Sequence, residues 1–496
     1  MRKPDVERAD PLFYSSTKWF LWLLALSFFL RLYQSGEWSF WHDEALTVLL
    51  ARKPIADLIR IASADVHPPL YFFIVKLFML WGQNEGIVRL PSILCSTGAV
   101  LFIYLLGRDL FDGRAGLISA LVMALSSLQL YYAQEARMYT QLVLLVIFSS
   151  WCLMRALRND GVLWWVLLAL GAALASYTSY FIFPVLFTMF VYVLSRKREH
   201  IFRFMLSMGV VALLYLPWIG VLFSQTRAVL GAYWMERPHP LVIFTTLCSF
   251  FVGYSLPPFW IAVSLAVTLL MVFVLFNSVR HAFRQRDTDV EALIWLLLWG
   301  LMPLLGIYIA SLVRPIFQIR TVMTTAPAFY LLVGWGLTRV RQKKIHNVLF
   351  LPTLLMMLMS TWNFYFNPAF SKPPWRQAAA YVDEHDQPGD VALHTSTGSF
   401  LTFLCYDHDI EHIRLPEDPV TARENAPSQF IISAVASPSQ SVKDAVRGYQ
   451  RAWLIVGLDH AVSYQLDQKQ YFDDHYHLLE ENEIGGIYIL VYTLDR

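Results

Sequence analysis

Charged residues and cysteines are both scarce in this sequence. Charged side chains make up 15% of its 496 residues, whereas soluble domains contain about 25%. The four cysteines show none of the paired spacings of a disulfide framework or a metal knuckle. Lys and Arg number 39 against 37 Asp and Glu, so the basic excess that nucleic-acid binding requires is missing. These shortages argue against a soluble, disulfide-stabilised or nucleic-acid-binding protein.

Long apolar runs are what the sequence has instead. Hydrophobic residues make up 56% of the chain, and a transmembrane helix needs about 20 mostly apolar residues. The runs that approach this length lie near residues 18–34, 90–107, 115–131, 139–156, 162–178, 181–195, 204–223, 258–277, 290–312, 322–338 and 347–364. We therefore predict an α-helical polytopic membrane protein with about eleven transmembrane helices.

Basic residues fall in every second loop between these runs. Because short loops rich in Lys and Arg stay in the cytoplasm, we predict a multi-pass protein of the inner (cytoplasmic) membrane with a cytoplasmic N-terminus. One further apolar run, 67–81, is short and contains Lys76. If this run crossed the membrane, every later basic loop would lie on the external side. We place this run at the outer membrane interface, which leaves a long external loop over residues 35–89.

The sequence pattern changes after residue 364, where short strands and amphipathic helices replace the apolar runs. The predicted helices are 375–384 and 442–450, and the predicted strands are 390–393, 430–434, 453–457 and 487–493. We predict two domains. A transmembrane domain covers residues 1–364, including the loop 35–89, and a small extracytoplasmic α/β domain covers residues 365–496.

Two adjacent carboxylates, Asp43 and Glu44, follow aromatic residues in the first external loop. One interpretation is a helix N-terminus, where acidic side chains interact favourably with the helix dipole. The other is catalytic, because aromatic neighbours that partly desolvate a carboxylate raise its pKa and allow it to act as a general base on a hydroxyl. The sequence leaves both interpretations open.

Later in the same loop, His67 precedes the paired prolines Pro68 and Pro69. His67 is interpreted as a helix cap or as a contact to an anionic headgroup. Glu85 and Arg89 close the loop, and their spacing of four residues predicts a structural ion pair.

Ionisable residues also occur in two short external loops between membrane helices. Glu135 and Arg137 lie in one of these loops, and Arg320 lies in the other. Because charged residues are costly at membrane depth, Glu135 and Arg137 favour a functional interpretation. Arg320 has two interpretations, as an interfacial anchor or as a clamp for phosphate.

The order of these motifs resembles the bacterial relatives of the protein O-mannosyltransferases. These are glycosyltransferase family 39-like enzymes of the GT-C fold, and they include the aminoarabinose transferase that modifies lipid A. The motifs are Asp43-Glu44, His67-Pro68-Pro69-Leu70-Tyr71, Val88-Arg89-Leu90-Pro91-Ser92 and Gln134-Glu135-Ala136-Arg137-Met138-Tyr139, followed in the tail by Pro374-Trp375-Arg376. The resemblance covers residues 1–180 well and the remaining helices loosely.

This resemblance implies transfer of a sugar from a polyprenyl-phosphate donor to a protein, lipid or glycan acceptor, with membrane lipids as the surroundings. By position, Asp43 matches the family's catalytic aspartate, Glu44 lies beside it, and Glu135 falls where relatives have a second acidic residue. No cofactor is certain. A divalent metal stays open, because Val66 and His67 stand where the aminoarabinose transferase has an acidic residue and a lysine.

The residues suit this reaction on chemical grounds as well. A sugar phosphate already has a good leaving group, so the protein must supply a base, worth about 10²- to 10⁴-fold, and cations for the departing phosphate. Asp43 suits the first role, and the second suits His67, Arg137 and Arg320. A single base would invert the anomeric centre. A transporter or lipid flippase for envelope glycolipids is the alternative, but its ionisable residues are expected near the middle of helices.

Overall fold

A computed structural model gives the architecture of this chain. It describes residues 11–159, 161–231, 237–339, 343–407, 409–416, 432–435, 437–457 and 462–494. The described residues divide into two compact units. The first unit is drawn from Met1–Tyr33, Ser92–Pro217 and Met235–Phe370, and the second is drawn from Gln34–Pro91, Trp218–Trp234 and Ser371–Arg496. The loop 35–89 thus groups with the C-terminal part of the chain, although the two are far apart in sequence.

Helices account for most of the chain before residue 370. In chain order they are α1 (Pro11–Leu32), α2 (His42–Arg52), α3 (Ile55–Ala64), α4 (Leu70–Phe78), α5 (Glu85–Leu110), α6 (Gly113–Leu125), α7 (Ser127–Ala133), α8 (Tyr139–Asn159), α9 (Val162–Ser176), α10 (Phe183–Arg196), α11 (Ile201–Gly231), α12 (Val242–Phe251), α13 (Ile261–Gln285), α14 (Val290–Val313), α15 (Ile319–Val322), α16 (Ala326–Arg339) and α17 (Lys343–Phe366).

Each predicted apolar run coincides with helix, which confirms a polytopic α-helical membrane protein. Within the described residues, five helical segments are long and apolar enough to cross a membrane, namely Glu85–Leu110, Tyr139–Asn159, Arg198–Arg227, Pro258–Gln285 and Val290–Val313. The pair α6 and α7 makes a sixth candidate, although it is bent by 59°. The total of about eleven spans stays a prediction.

Small residues allow close packing between helices of the first unit. A Cβ atom built on Gly334 in α16 would lie 2.5 Å from the carbonyl oxygen of Ala115 in α6. A Cβ atom on Gly107 would lie 2.9 Å from the Cα of Gly116. Such contacts are the usual way in which membrane helices approach each other when lipid offers no hydrophobic driving force.

The run 67–81 forms the short helix α4 in the second unit. Its nine residues rise only about 14 Å at 1.5 Å per residue, which is too short for a hydrocarbon core of about 30 Å. The outer face of α4 and the residues after it are apolar, with Leu80 and Trp81 well exposed. A peripheral position therefore suits this helix better than a transmembrane one.

The C-terminal part of the second unit contains a five-stranded sheet. Its strands are β1 (Asp390–His394), β2 (Glu411–Arg414), β3 (Arg451–Val456), β4 (His477–Ile484) and β5 (Ile487–Thr493), in the order β2-β1-β3-β5-β4. Strand β1 pairs in parallel with β2 and β3, whereas β5 pairs antiparallel with β3 and β4. Gly485 and Gly486 join β4 to β5 with positive φ angles, as a two-residue hairpin requires.

Helices cover both faces of this sheet. They are α18 (Trp375–His385), α19 (Thr397–Tyr406), α20 (Val442–Ala445) and α21 (Val462–His475). Trp375 and Phe403 pack on one face and Phe472 on the other, so alternate strand residues fill two cores. The predicted α/β character is confirmed. The predicted helix 442–450 is shorter than expected, since Gly448 takes φ +93° soon after its end. The predicted strand 430–434 is wrong where it is described, because residues 432–434 are helical, and residues 430 and 431 lie outside the described residues.

Candidate functional site

Asp43 and Glu44 lie in the first turn of α2, as the dipole interpretation predicts. Trp41 caps the helix without a side-chain hydrogen bond, so the two carboxylates supply the favourable charge at this end. Glu44 is fully buried, whereas Asp43 is partly exposed. Neighbouring residues project about 100° apart around a helix, so the two carboxylates lie in different surroundings.

Two cations hold the buried carboxylate. Arg89 reaches Glu44 with two nitrogens, Nε to Oε1 and Nη2 to Oε2, both at 2.7 Å. Lys372 Nζ lies 3.0 Å from the same Oε2. Arg89 is itself fully buried and donates further hydrogen bonds to the carbonyls of Ser35, Trp38 and Ser39 at 2.7 to 3.0 Å. This bidentate pair is the strong form of the interaction, and it anchors the turn before α2.

The predicted Glu85–Arg89 pair takes a different form. Arg89 pairs with Glu44, and Glu85 pairs with Arg376 at 3.0 Å and accepts a hydrogen bond from the hydroxyl of Tyr406 at 2.8 Å. Burial and the charge of Glu85 together raise the pKa of Tyr406 above its ordinary value, so this hydroxyl stays protonated and donates. Glu85 and Arg89 therefore each form an ion pair with a residue from another segment of the chain.

His67 lies in the connection between α3 and α4. Pro69 is the residue that caps α4, so His67 is not the helix cap that the sequence suggested. Its Nδ1 lies 3.3 Å from Asp65 Oδ2, and its side chain is 22% exposed. A half-open imidazole beside a carboxylate can still donate to an anion from its other ring nitrogen.

In the first unit, Glu135 and Arg320 share the same aromatic neighbours. Both interact electrostatically with Tyr132 and Tyr254. Arg320 lies over the ring of Tyr139, with 5.8 Å between the guanidinium carbon and the ring centroid. Glu135 is buried. The structure thus brings together a carboxylate and a guanidinium that the sequence placed in two separate loops.

A break between α6 and α7 sets the position of the loop that carries Glu135 and Arg137. The last carbonyl groups of a helix have no backbone N–H partner within that helix. In a membrane, other groups of the protein must therefore donate hydrogen bonds to them. Arg31 donates to the carbonyls of Met123 and Ala124 at 3.2 and 3.3 Å. This buried arginine from α1 therefore stabilises the bend.

Further hydrogen bonds hold the loop after the bend. Gln134 Nε2 donates to the carbonyls of Arg31 and Tyr33 at 3.1 and 2.7 Å. Ser92 Oγ donates to the carbonyl of Arg137 at 3.1 Å. The Arg137 side chain is only 3% exposed, so it is placed by the fold and is not a mobile surface group.

The predicted site residues therefore fall into two groups. Asp43, Glu44 and His67 belong to the second unit, and Glu135, Arg137 and Arg320 belong to the first. Sequence reasoning missed several supporting residues, which are Arg31, Lys372, Tyr254 and Tyr406. For Lys372 a signal existed, because it directly precedes the motif that begins at Pro374. For the others, nothing local in the sequence distinguishes them from ordinary helix residues.

The described residues do not fit a metal site. Among them, no three His, Cys, Asp or Glu side chains come together in a group that could hold an ion. Glu44 already accepts from two cations, and Val66 offers no ligand atom. We therefore assign no chemical step to a metal.

Superposition on solved structures gives the class of protein, a multi-pass membrane protein with the GT-C glycosyltransferase fold. ArnT from Cupriavidus metallidurans superimposes in its apo state with a TM-score of 0.65 at 12% identity, over 96% of this chain and 98% of that one. Its structure bound to undecaprenyl phosphate superimposes with a TM-score of 0.64. The small C-terminal sheet domain is part of this agreement in fold.

Sequence comparisons agree with the fold. The family model for dolichyl-phosphate-mannose-protein mannosyltransferase matches residues 66–232. YycA of Bacillus subtilis, named as a mannosyltransferase, is 26% identical over 175 residues, which is 33% of this chain and 25% of that protein. The undecaprenyl phosphate-alpha-4-amino-4-deoxy-L-arabinose arabinosyl transferase of Erwinia tasmaniensis is 24% identical over 313 residues, 59% of this chain and 55% of that protein. The chain thus spans a quarter to about half the length of these relatives.

Proposed function

We propose that this protein is a glycosyltransferase that moves a sugar from a polyprenyl-phosphate donor to an acceptor hydroxyl. The names of its relatives, the fold and the lipid phosphate bound by ArnT support this proposal. The observation that carries it is the contrast within α2, where a partly exposed Asp43 stands beside a fully buried and anchored Glu44. That contrast provides a fixed, accessible carboxylate, as general base catalysis requires.

Asp43 is the proposed base. It accepts the proton of the acceptor hydroxyl while the hydroxyl oxygen bonds to the anomeric carbon, and the bond from that carbon to the phosphate oxygen breaks. The phosphate leaves with the bonding electrons, and attack from the opposite face inverts the anomeric centre. Glu44 is less suited to this role, because N–H donors of Arg89 and Lys372 already occupy its oxygens.

Glu135 is the proposed second acidic residue of the enzyme. A buried carboxylate among tyrosines accepts hydrogen bonds from sugar hydroxyls strongly, because water does not compete there. Arg137, Arg320 and His67 are the proposed groups that meet the negative charge of the phosphate. Guanidinium groups suit this role best, since they can bind two phosphate oxygens at once.

The arginines provide a direct test of donor binding. We expect Arg137→Ala and Arg320→Ala each to weaken binding or turnover of the polyprenyl-phosphate sugar at least about tenfold, or roughly 1.4 kcal/mol. Lys at either position should rescue only part of the loss, since a point charge lacks the bidentate grip. The measurement is binding of undecaprenyl phosphate to the purified protein in nanodiscs, together with donor turnover.

Arg114→Ala is the matched control, because Arg114 is an exposed arginine at the start of α6. It should bind undecaprenyl phosphate like the parent protein. Parent-like binding and turnover in both site variants would instead assign Arg137 and Arg320 to interfacial anchoring.

The function itself is tested on cell envelopes and on the purified protein. A deletion strain should lose one glycolipid or glycoprotein signal in mass spectrometry, and the parent gene should restore it while an Asp43→Asn copy should not. Purified protein in liposomes should consume undecaprenyl-phosphate-linked mannose or 4-amino-4-deoxy-arabinose when membranes of the deletion strain supply the acceptor. An unchanged envelope together with no donor consumption would refute the proposal.

We further propose that the reaction takes place on the external side of the inner membrane. The alternation of basic loops supports this orientation. Cysteines introduced at positions 43, 314 and 384, which are partly or fully exposed, should therefore react with a membrane-impermeant maleimide in intact cells, or in spheroplasts where an outer membrane blocks access. A cysteine at position 284, in a basic stretch, should react only after lysis. Labelling at position 43 with protection at position 314 would contradict the predicted topology.

A further inference from the structure

Side chains from the chain after residue 370 hold the first loop in the second unit. Lys372 Nζ lies 3.0 Å from Glu44 Oε2. Arg376 Nη1 lies 3.0 Å from Glu85 Oε1, and Tyr406 donates to the same oxygen at 2.8 Å. Each of these contacts joins residues more than 280 positions apart in sequence, so the C-terminal part of the unit is a structural element of the loop.

The same part of the chain fixes the backbone that leads into α2. Arg376 donates to the carbonyls of Gly36 and Glu37 at 3.2 and 3.1 Å. The Tyr406 hydroxyl accepts a hydrogen bond from the backbone N–H of Phe40 at 2.6 Å. The turn before α2 is therefore held at both of its ends by side chains of the C-terminal part.

Lys372 acts on α2 itself. Its side chain is only 6% exposed, and lysine is almost never buried to this extent without a partner. One of its partners is Glu44, in the first turn of α2, one residue after Asp43. Asp43 and Glu44 share the first turn of α2, so an ion pair that fixes Glu44 also restricts the backbone from which the Asp43 side chain projects.

We propose that Lys372 is a positioning residue for Asp43, through its ion pair with Glu44. This inference rests on the proposed function, in which Asp43 is the base. Arg89 still neutralises Glu44 when Lys372 is removed, so the fold survives, but the start of α2 loses a contact that fixes it. A displacement of about 1 Å between a catalytic group and its target can cost about 100-fold in rate.

Two other roles for Lys372 give different results. A direct contact to the donor phosphate would raise the KM for the donor when Lys372 is replaced. A purely structural ion pair would lower the amount of folded protein and leave the turnover of each folded molecule unchanged. Positioning alone predicts a loss of kcat that depends on the presence of Asp43.

The experiment compares Lys372→Met and Lys372→Arg, each in the parent protein and in the Asp43→Asn variant. The probe is undecaprenyl-phosphate-linked mannose or 4-amino-4-deoxy-arabinose, whichever the parent protein turns over. We expect Lys372→Met to lower kcat about tenfold or more with a donor KM within about twofold of the parent, and Lys372→Arg to recover most of kcat. In the Asp43→Asn background, Lys372→Met should change the residual rate less than about twofold.

Lys469→Met serves as the control, because Lys469 forms an i,i+4 pair with Asp473 in α21, and such pairs contribute little. It should match the parent in kcat and in KM. If Lys372→Met does not fold, Lys372→Gln replaces it in the same design, since its amide N–H can still donate to Glu44 but carries no charge. The same loss of kcat, dependent on Asp43, is then expected.

Several results would overturn the inference. These are a parent-like kcat in Lys372→Met, an equal fold-loss with and without Asp43, or a raised KM as the main effect. A failure of the proposed function looks different, because the parent protein would then consume no polyprenyl-phosphate sugar. Full activity of Asp43→Asn would likewise remove Asp43 as the base, whatever the result at Lys372.

Discussion

Asp43→Asn is expected to lower turnover of the polyprenyl-phosphate sugar at least about 100-fold while binding of the donor changes little. Asparagine keeps the size and the hydrogen bonding of aspartate but cannot take a proton. The partial exposure of Asp43 at the start of α2 lets an acceptor reach it, so the loss falls on the chemical step. The measurement is kcat for donor consumption together with the dissociation constant of undecaprenyl phosphate.

Glu44→Gln is the informative comparison for this variant. Glu44 is buried against Arg89 and Lys372, and the positioning role leads us to expect a smaller loss of kcat than in Asp43→Asn. Near-normal turnover in Asp43→Asn with a larger loss in Glu44→Gln would reverse the assignment and make Glu44 the base.

Arg89→Met is expected to cause the largest loss of stability. Removing one partner of a buried ion pair costs about 3–5 kcal/mol when the other charge is left uncompensated, and here Lys372 compensates Glu44 only in part. Arg89 also satisfies the carbonyls of Ser35, Trp38 and Ser39, so those groups lose their donor as well. Equilibrium unfolding in SDS mixed micelles gives the free energy of unfolding, and donor turnover should fall with the loss of the anchored loop.

The exposed pair of Arg60 and Asp57 provides the matched control for Arg89. Surface pairs of this kind contribute about 0–1 kcal/mol, so Arg60→Met should unfold close to the parent. Equal stability of Arg89→Met and Arg60→Met would show that Lys372 alone suffices for Glu44 and that the bidentate pair is dispensable.

The helices were predictable from the sequence because a membrane helix satisfies its own backbone and shows its apolar side chains along one continuous run. The run 115–131 shows the limit of this reasoning. Its break at Ser126 depends on Arg31 from α1, which meets the carbonyls of Met123 and Ala124. A contact between residues more than 90 positions apart leaves no local trace in either segment.

At the candidate site, too, local sequence features were predictable and contacts between distant residues were not. Asp43 and Glu44 were recognisable as a pair, and their position in the first turn of α2 follows from the helix dipole. Their different roles depend on Arg89 and Lys372, since these cations decide which carboxylate is buried. Sequence spacing suggested Glu85 as the partner of Arg89, but burial favours the bidentate geometry with Glu44 over a surface pair along one helix.

The partners of Glu44 also differ in when they are synthesised. Arg89 follows Glu44 by 45 residues and Lys372 follows it by 328. A ribosome that adds about 5–20 residues per second therefore produces Lys372 roughly 16–66 s after Glu44. During that interval Arg89 can already neutralise the carboxylate of Glu44, but the contact from Lys372 to the start of α2 is still missing. The loop that carries Asp43 thus matures among the last parts of the nascent chain, and a chain interrupted before Lys372 would expose an incompletely held loop to proteases.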